Sequence, residues 1–149
     1  MNKNSNLVPA VCGISCAPLD DVDAITSTPD RFHRHVGLKT GKSWEHIYFT
    51  PGTAEFTEKP KDTEAGELIE QSLKCIFPGD DDANLAAFDL ISARPLLVIV
   101  QFNTGDGKIM GDLGNGAKLA QTSQFSAKGS GSQLEFSCMA TYRACRVTP

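Results

Sequence analysis

The strongest hydrophobic signal in the chain is the run PLLVIVQF at residues 95–102, where five apolar residues follow one another. A continuous run of this length, rich in β-branched residues, predicts a central strand buried on both faces. The polar stretch NTGDG at 103–107 then reverses the chain into KIMGDL at 108–113. Glycine and Asp-Gly in such a position favour a tight turn, so the pattern predicts a β-hairpin.

Two further segments alternate between apolar and polar residues, which is typical of half-exposed strands. In the first, residues 67–79, the inward series is Ile69, Gln71, Leu73, Cys75 and Phe77. In the second, residues 133–147, it is Leu134, Phe136, Cys138, Ala140 and Tyr142. Shorter strands are predicted at 7–18 and at 118–128, and turns at 114–116 and at GSGS, 129–132.

A different periodicity marks DDDANLAAFDLIS at residues 80–92. Leu85, Phe88 and Ile91 recur every three residues, which predicts an amphipathic helix over about 82–92. An aspartate at 81 or 82 suits its N-terminus. We therefore predict a single domain over 1–149, mainly β, folded as an antiparallel β-sandwich or barrel flanked by this one short helix.

The segments outside these strands differ in character. Residues 1–6 are polar, and we expect them to be disordered. Residues 19–43 are turn-rich and are expected to form an extended loop or arm. WEHIYFT (44–50), Pro51-Gly52 and TAEFTEK together predict a hairpin around 44–58.

That hairpin carries large side chains on both of its faces. The candidates for a subunit interface are Trp44, Tyr48, Phe49 and Phe56. A hairpin that is apolar on both sides needs two partners, its own core and a second surface. The alternative is a hairpin lying in the centre of the core.

The composition of the chain argues against some classes of function. The chain is 40% hydrophobic and 21% charged, with a net charge of −4 and a pI near 5.3. This balance argues against a general nucleic-acid binder. Five cysteines fit a reducing compartment, and no apolar stretch is long enough to span a membrane. We expect a soluble protein made in a cytoplasm.

Motifs for catalysis or metal binding are weak. GLKTGKS at 37–43 has one residue too few between its glycines for a phosphate-binding loop, and a strand follows it instead of a helix. Cys12 and Cys16 have a spacing compatible with zinc, and a Cys–His nucleophile is a further alternative. Buried thiols that act as small hydrophobes are the better interpretation. We expect no catalytic residue, no metal and no cofactor.

Acidic residues cluster after the turn at Pro51-Gly52. The acidic surface candidates are Glu55, Glu58, Asp62 and Glu64, interleaved with lysines. A solvated face explains them, and so does a surface from which polyanions are repelled.

The order of elements over residues 7–147 resembles that of the tail-tube proteins of tailed bacteriophages and of related contractile injection machines. The resemblance implies a virion protein, made in the bacterial cytoplasm, whose hexameric rings stack into a tube. The arm at 19–43 and the hairpin near 44–58 would contact neighbouring subunits or the next ring, and other virion proteins would be further partners. Double-stranded DNA would pass an acidic lumen without specific binding. The basic residues between 31 and 42 depart from this pattern, and would have to lie away from the lumen or pair with acids.

Other functions remain open. A capsid decoration protein, a head–tail connector or a tail-terminator protein would share this composition. A small β-barrel that binds a ligand would instead be a monomer or dimer with an enclosed pocket. An enzyme that uses Cys and His would show one unusually reactive thiol.

Overall fold

The computed structural model describes residues 10–27, 29, 33–78, 88–89, 91–126, 129–140 and 143–147. Within them the chain forms two β-sheets. The strands are β1 Val11–Pro18, β2 Val22–Ser27, β3 His33–Leu38, β4 Glu45–His46, β5 Glu55–Thr63, β6 Gly66–Pro78, β7 Leu96–Phe102, β8 Gly107–Met110, β9 Lys118–Ser126, β10 Gly129–Ala140 and β11 Cys145–Val147. A 3₁₀ turn, Leu19–Asp21, links β1 to β2.

The first sheet has the order β2-β3-β11-β8-β7-β1-β4 and the second the order β5-β6-β10-β9. Neighbouring strands are antiparallel except β3 and β11, which run parallel. The mainly β, sandwich-like prediction is confirmed. The described part of the predicted helix, at 88–89 and 91–92, is helical. Residues 1–6, 82–87, 90 and Tyr142, on which other predictions fall, lie outside the described residues.

The main core lies between the two sheets and follows from the period-two patterns. The inward residues Leu73, Cys75, Leu134 and Phe136 are at most 1% exposed. They meet β1, β7 and β8 of the first sheet in one apolar cluster. Phe88 joins this cluster and packs edge-on against Phe77, with ring centroids 5.0 Å apart.

Strand β7 is buried on both faces, as its unbroken apolar run predicts. Leu96, Val98 and Val100 point into the main core. Leu97 and Ile99 point the other way, into a second cluster. This second cluster is covered by apolar residues from the segment that precedes β5: Leu19, Val22, Ile25, Val36, Leu38 and Trp44.

The prediction of a loop or arm at 19–43 is wrong, because this segment contains the antiparallel hairpin β2–β3. The register of the hairpin shifts between Val22 and Ala24. A bulge of this kind breaks the strict alternation by which a strand is recognised in sequence.

The prediction of a hairpin at 44–58 is also wrong. Strand β4 pairs with β1 in the first sheet, whereas β5 pairs with β6 in the second. The Ile47 N–H donates to the Ile14 carbonyl at 2.9 Å, and the Thr50 N–H donates to the Ile76 carbonyl at 2.8 Å. The chain therefore crosses from one layer to the other between residues 47 and 50.

Two predictions at the end of the chain need correction as well. GSGS at 129–132 belongs to β10 and is not a turn. The long strand predicted at 133–147 is divided between the layers, with β10 in the second sheet and β11 in the first. Described residues 143–144 precede β11 and have no regular secondary structure.

Candidate functional site

The four aromatic interface candidates do not form one surface. Trp44 packs against the second cluster, while Phe49 and Phe56 pack against the main core. Only Tyr48 is largely exposed, at 67%, and it touches Phe77 edge-on at a centroid distance of 6.3 Å. The crossing between the layers explains this, because it turns three of the four rings towards a core.

Glu58 is not a surface acid, although its alternating, charged context predicts one. Its side chain is 8% exposed, and Oε1 lies 3.5 Å from Nζ of Lys108 on β8. Its Oε2 accepts a hydrogen bond of 2.7 Å from the Ala144 N–H. The carboxylate links β5 of the second sheet to β8 of the first sheet and to the segment that enters β11. The other three acidic candidates, Glu55, Asp62 and Glu64, are exposed.

The β5–β6 hairpin ends in a turn at residues 64–65. Within the described residues, β10 pairs with β6 from Pro78 to Ile69, and β5 and β6 pair as far as Thr63 and Gly66. We call residues 61–68 the arm from here on. This segment is different from the arm predicted at 19–43, which contains the hairpin β2–β3. The three register pairs of residues 61–68 span roughly 10 Å, at a rise of about 3.4 Å per residue.

A cavity of about 200 Å³ lies between the two sheets and is called here the interlayer cavity. Its lining is more polar than the rest of the core. It consists of Arg34, Gln71, Ile109, Gly111, Asp112, Gly114, Asn115, Cys138, Met139, Ala140 and Cys145. These residues come from both layers and from the turn that follows β8.

Two polar links shape the wall of this cavity. Arg34 Nη1 lies 3.4 Å from Asp112 Oδ2, with side chains 16% and 40% exposed. Asn115 donates through Nδ2 to the Met139 carbonyl and contacts Cys138 Sγ at 3.6 Å. Burial, and next the negative charge of Asp112, raise the pKa of the Cys138 thiol. This thiol is therefore protonated and a poor nucleophile at neutral pH.

One residue in the sequence signals this cavity. Gln71 is the single amide in the otherwise apolar inward series of β6, and it is 1% exposed. A buried amide among apolar residues indicates a polar pocket or network at that depth. Arg34 and Asp112 give no such signal, since they meet only through the pairing of β3, β11 and β8.

A shallow groove of about 430 Å³ runs along β1 and β4. Ser15 Oγ and His46 Nδ1 are 2.9 Å apart in its wall. A serine hydroxyl bound to an imidazole invites comparison with a nucleophile and its base. However, these residues are direct cross-strand neighbours, so the bond is explained as a link between β1 and β4.

The two cysteines with zinc-like spacing differ in environment, with Cys12 exposed and Cys16 buried. Burial raises the pKa of the Cys16 thiol to about 12, with a smaller contribution from Glu45. Among the residues that the structure describes, no three His, Cys, Asp or Glu side chains are grouped to hold a metal ion. Likewise, no helix within the described ranges is long and apolar enough to cross a membrane.

Comparison with protein-family models, curated proteins and solved structures gave no significant match.

Proposed function

We propose that the chain is a structural subunit that assembles with copies of itself, and that this assembly is the ringed tube of a phage tail. The observation that carries the proposal is the arm. Residues 61–68 form a ladder between β5 and β6, and all of them except Thr63 and Leu68 are exposed. A two-stranded hairpin is marginally stable in water without further contacts, and a neighbouring subunit would add such contacts.

The chemistry of β5 supports side-chain contact over extension of the sheet. Pro60 lies in this edge strand between Lys59 and Lys61. Proline and lysine on an edge strand oppose the addition of another strand. The arm would therefore insert against a neighbour as a finished hairpin.

The charge of the arm fits a conduit for DNA. Asp62, Glu64 and Glu67 are exposed, and fixed negative charge keeps phosphates from binding. Arg34, one of the basic residues that depart from the tail-tube pattern, pairs with Asp112 of the same chain. Its charge is thus partly neutralised within the subunit.

The test is the mass of the protein from micromolar to millimolar concentration, by sedimentation and by negative-stain imaging. We expect rings or tubes of regular diameter. A 16.0 kDa monomer at every concentration would contradict self-assembly, and would favour a capsid decoration or connector protein that needs a different partner.

A variant with a shortened β5–β6 hairpin tests whether the arm makes the contact between subunits. Replacing residues 61–68 by Asn-Gly joins Pro60 to Ile69, which already face each other, through a turn suited to hairpins. We expect this variant to fold but to remain a monomer. Asp23→Asn, at an exposed position of β2, is the control and should assemble like the unaltered chain. Rings that form without the arm would rule it out as the contact.

A further inference from the structure

The interlayer cavity presents opposite charges side by side. The Arg34 guanidinium and the Asp112 carboxylate meet at 3.4 Å in its wall, and both side chains are partly exposed. The Asp112 side chain is 40% exposed, so a ligand can reach the pair from solvent.

The Arg34–Asp112 pair disfavours a ligand that carries only one charge. A simple anion that approaches Arg34 is repelled by Asp112, and a simple cation that approaches Asp112 is repelled by Arg34. A molecule that carries both charges a few ångströms apart satisfies both. A carboxylate suits the planar guanidinium, and an ammonium suits the aspartate.

The other residues that line the cavity determine the size and polarity of the ligand. The volume of about 200 Å³ equals roughly six or seven water molecules at about 30 Å³ each. Ile109, Met139 and Ala140 give the lining apolar surface, and the buried amide of Gln71 adds a polar group. We propose that the interlayer cavity binds a small zwitterion, of the size and kind of an α-amino acid with a short apolar side chain. This site does not depend on self-assembly.

The test compares three probes of nearly the same shape. L-valine carries both charges, isovalerate lacks the ammonium, and isobutylamine lacks the carboxylate. Ligand-observed NMR and calorimetry on the full chain should show binding of valine, with each single-charge analogue weaker by about tenfold or more. Equal affinity for the three probes, or no binding of valine, would overturn the proposal.

Three variants test whether valine binds in the interlayer cavity. Arg34→Gln and Asp112→Asn should each weaken valine binding by about tenfold or more. Ala140→Leu fills the cavity without changing charge and should abolish binding, which keeps the test valid if a charge variant folds poorly. Lys61→Gln, on the exposed arm, is the control and should bind like the original chain. Undiminished binding to Ala140→Leu would show that valine binds elsewhere and would overturn the proposal.

Discussion

Glu58 and Lys108 form an ion pair that joins the two sheets, with 3.5 Å between Oε1 and Nζ. The second carboxylate oxygen accepts from the Ala144 N–H at 2.7 Å. One side chain on β5 therefore holds β8 and the segment that enters β11. It does so where the chain passes from the second layer back to the first, close to the base of the arm.

Removing this carboxylate should destabilise the fold. Glu58→Ala leaves the Ala144 N–H without its acceptor, and hydrogen bonds to charged groups contribute about 1.5–3 kcal/mol. We expect the free energy of unfolding to fall by about 2 kcal/mol, and by about half as much in Glu58→Gln, whose amide oxygen still accepts a hydrogen bond. Denaturant unfolding measures both.

Glu64→Gln is the control for these variants. Glu64 is exposed on the arm, so the change should alter the free energy of unfolding by no more than about 0.5 kcal/mol. Equal stability of Glu58→Ala and Glu64→Gln would show that the inter-sheet contacts of Glu58 contribute nothing.

Glu58 also shows where inference from sequence ends. The inward series of β6 and the apolar run of β7 are local patterns, and the structure confirms both. The partner of a carboxylate on β5 depends on which sheet lies above it. The assignment of β4 and β5 to different sheets likewise rests on contacts of Ile47 and Thr50 with residues distant in sequence. Tertiary pairing decides these features, and local periodicity does not contain it.

The five thiols should differ sharply in reactivity. Cys12 is exposed, whereas Cys16, Cys75 and Cys138 are buried. Burial raises the pKa of the last three thiols, so each lacks both access and thiolate character. We expect brief alkylation of the native protein, followed by mass spectrometry, to find label on Cys12 before these three. Early label on Cys16 or Cys75 would contradict the packing of the main core.

The buried thiols also predict a loss of stability in alkali. Burial raises the pKa of Cys16 to about 12 and that of Cys75 to about 11, from an ordinary value of 9.0. Below pH 9 both states keep the protons, and the stability is fully present. As pH rises from 9 towards 11 the unfolded chain releases protons that the folded chain retains, so stability falls.

A cysteine variant isolates this effect from other titrating groups. The slope of unfolding free energy against pH, between pH 9 and 11, should be smaller in Cys16→Ala than in the original chain by about one proton. Gly114→Ala, where an added Cβ meets nothing within 4 Å, changes no titratable group and should leave the slope unchanged. Identical slopes in all three proteins would mean that the Cys16 thiol ionises equally in both states.

Gly111 should tolerate no side chain. Its φ is +103°, and an added Cβ would lie 3.0 Å from the Leu96 carbonyl oxygen. Left-handed backbone and a close approach to backbone both oppose alanine, so Gly111→Ala should cost about 1–3 kcal/mol of unfolding free energy. Gly114→Ala, where an added Cβ meets nothing within 4 Å, should change stability by less than about 0.5 kcal/mol.

Tyr48 is the one aromatic candidate that remains available for a subunit contact. Its ring is 67% exposed and is held by the edge contact with Phe77. A pair of this geometry contributes about 0.5–1.5 kcal/mol, so Tyr48→Ser should lower the free energy of unfolding by about 1 kcal/mol or less. An exposed aromatic side chain at an interface contributes more to association than to folding. We therefore expect Tyr48→Ser to raise the protein concentration needed for assembly by about tenfold or more.

Leu113→Ser is the matched control for this variant. Leu113 is also a large exposed apolar residue, at 51%, but it lies in the turn after β8 and not in the crossing between the layers. Sedimentation of both variants across concentrations separates a contact at Tyr48 from a general loss of exposed apolar surface. If the two variants weaken assembly equally, or if neither does, Tyr48 is not an anchor and the arm is left as the contact to be tested.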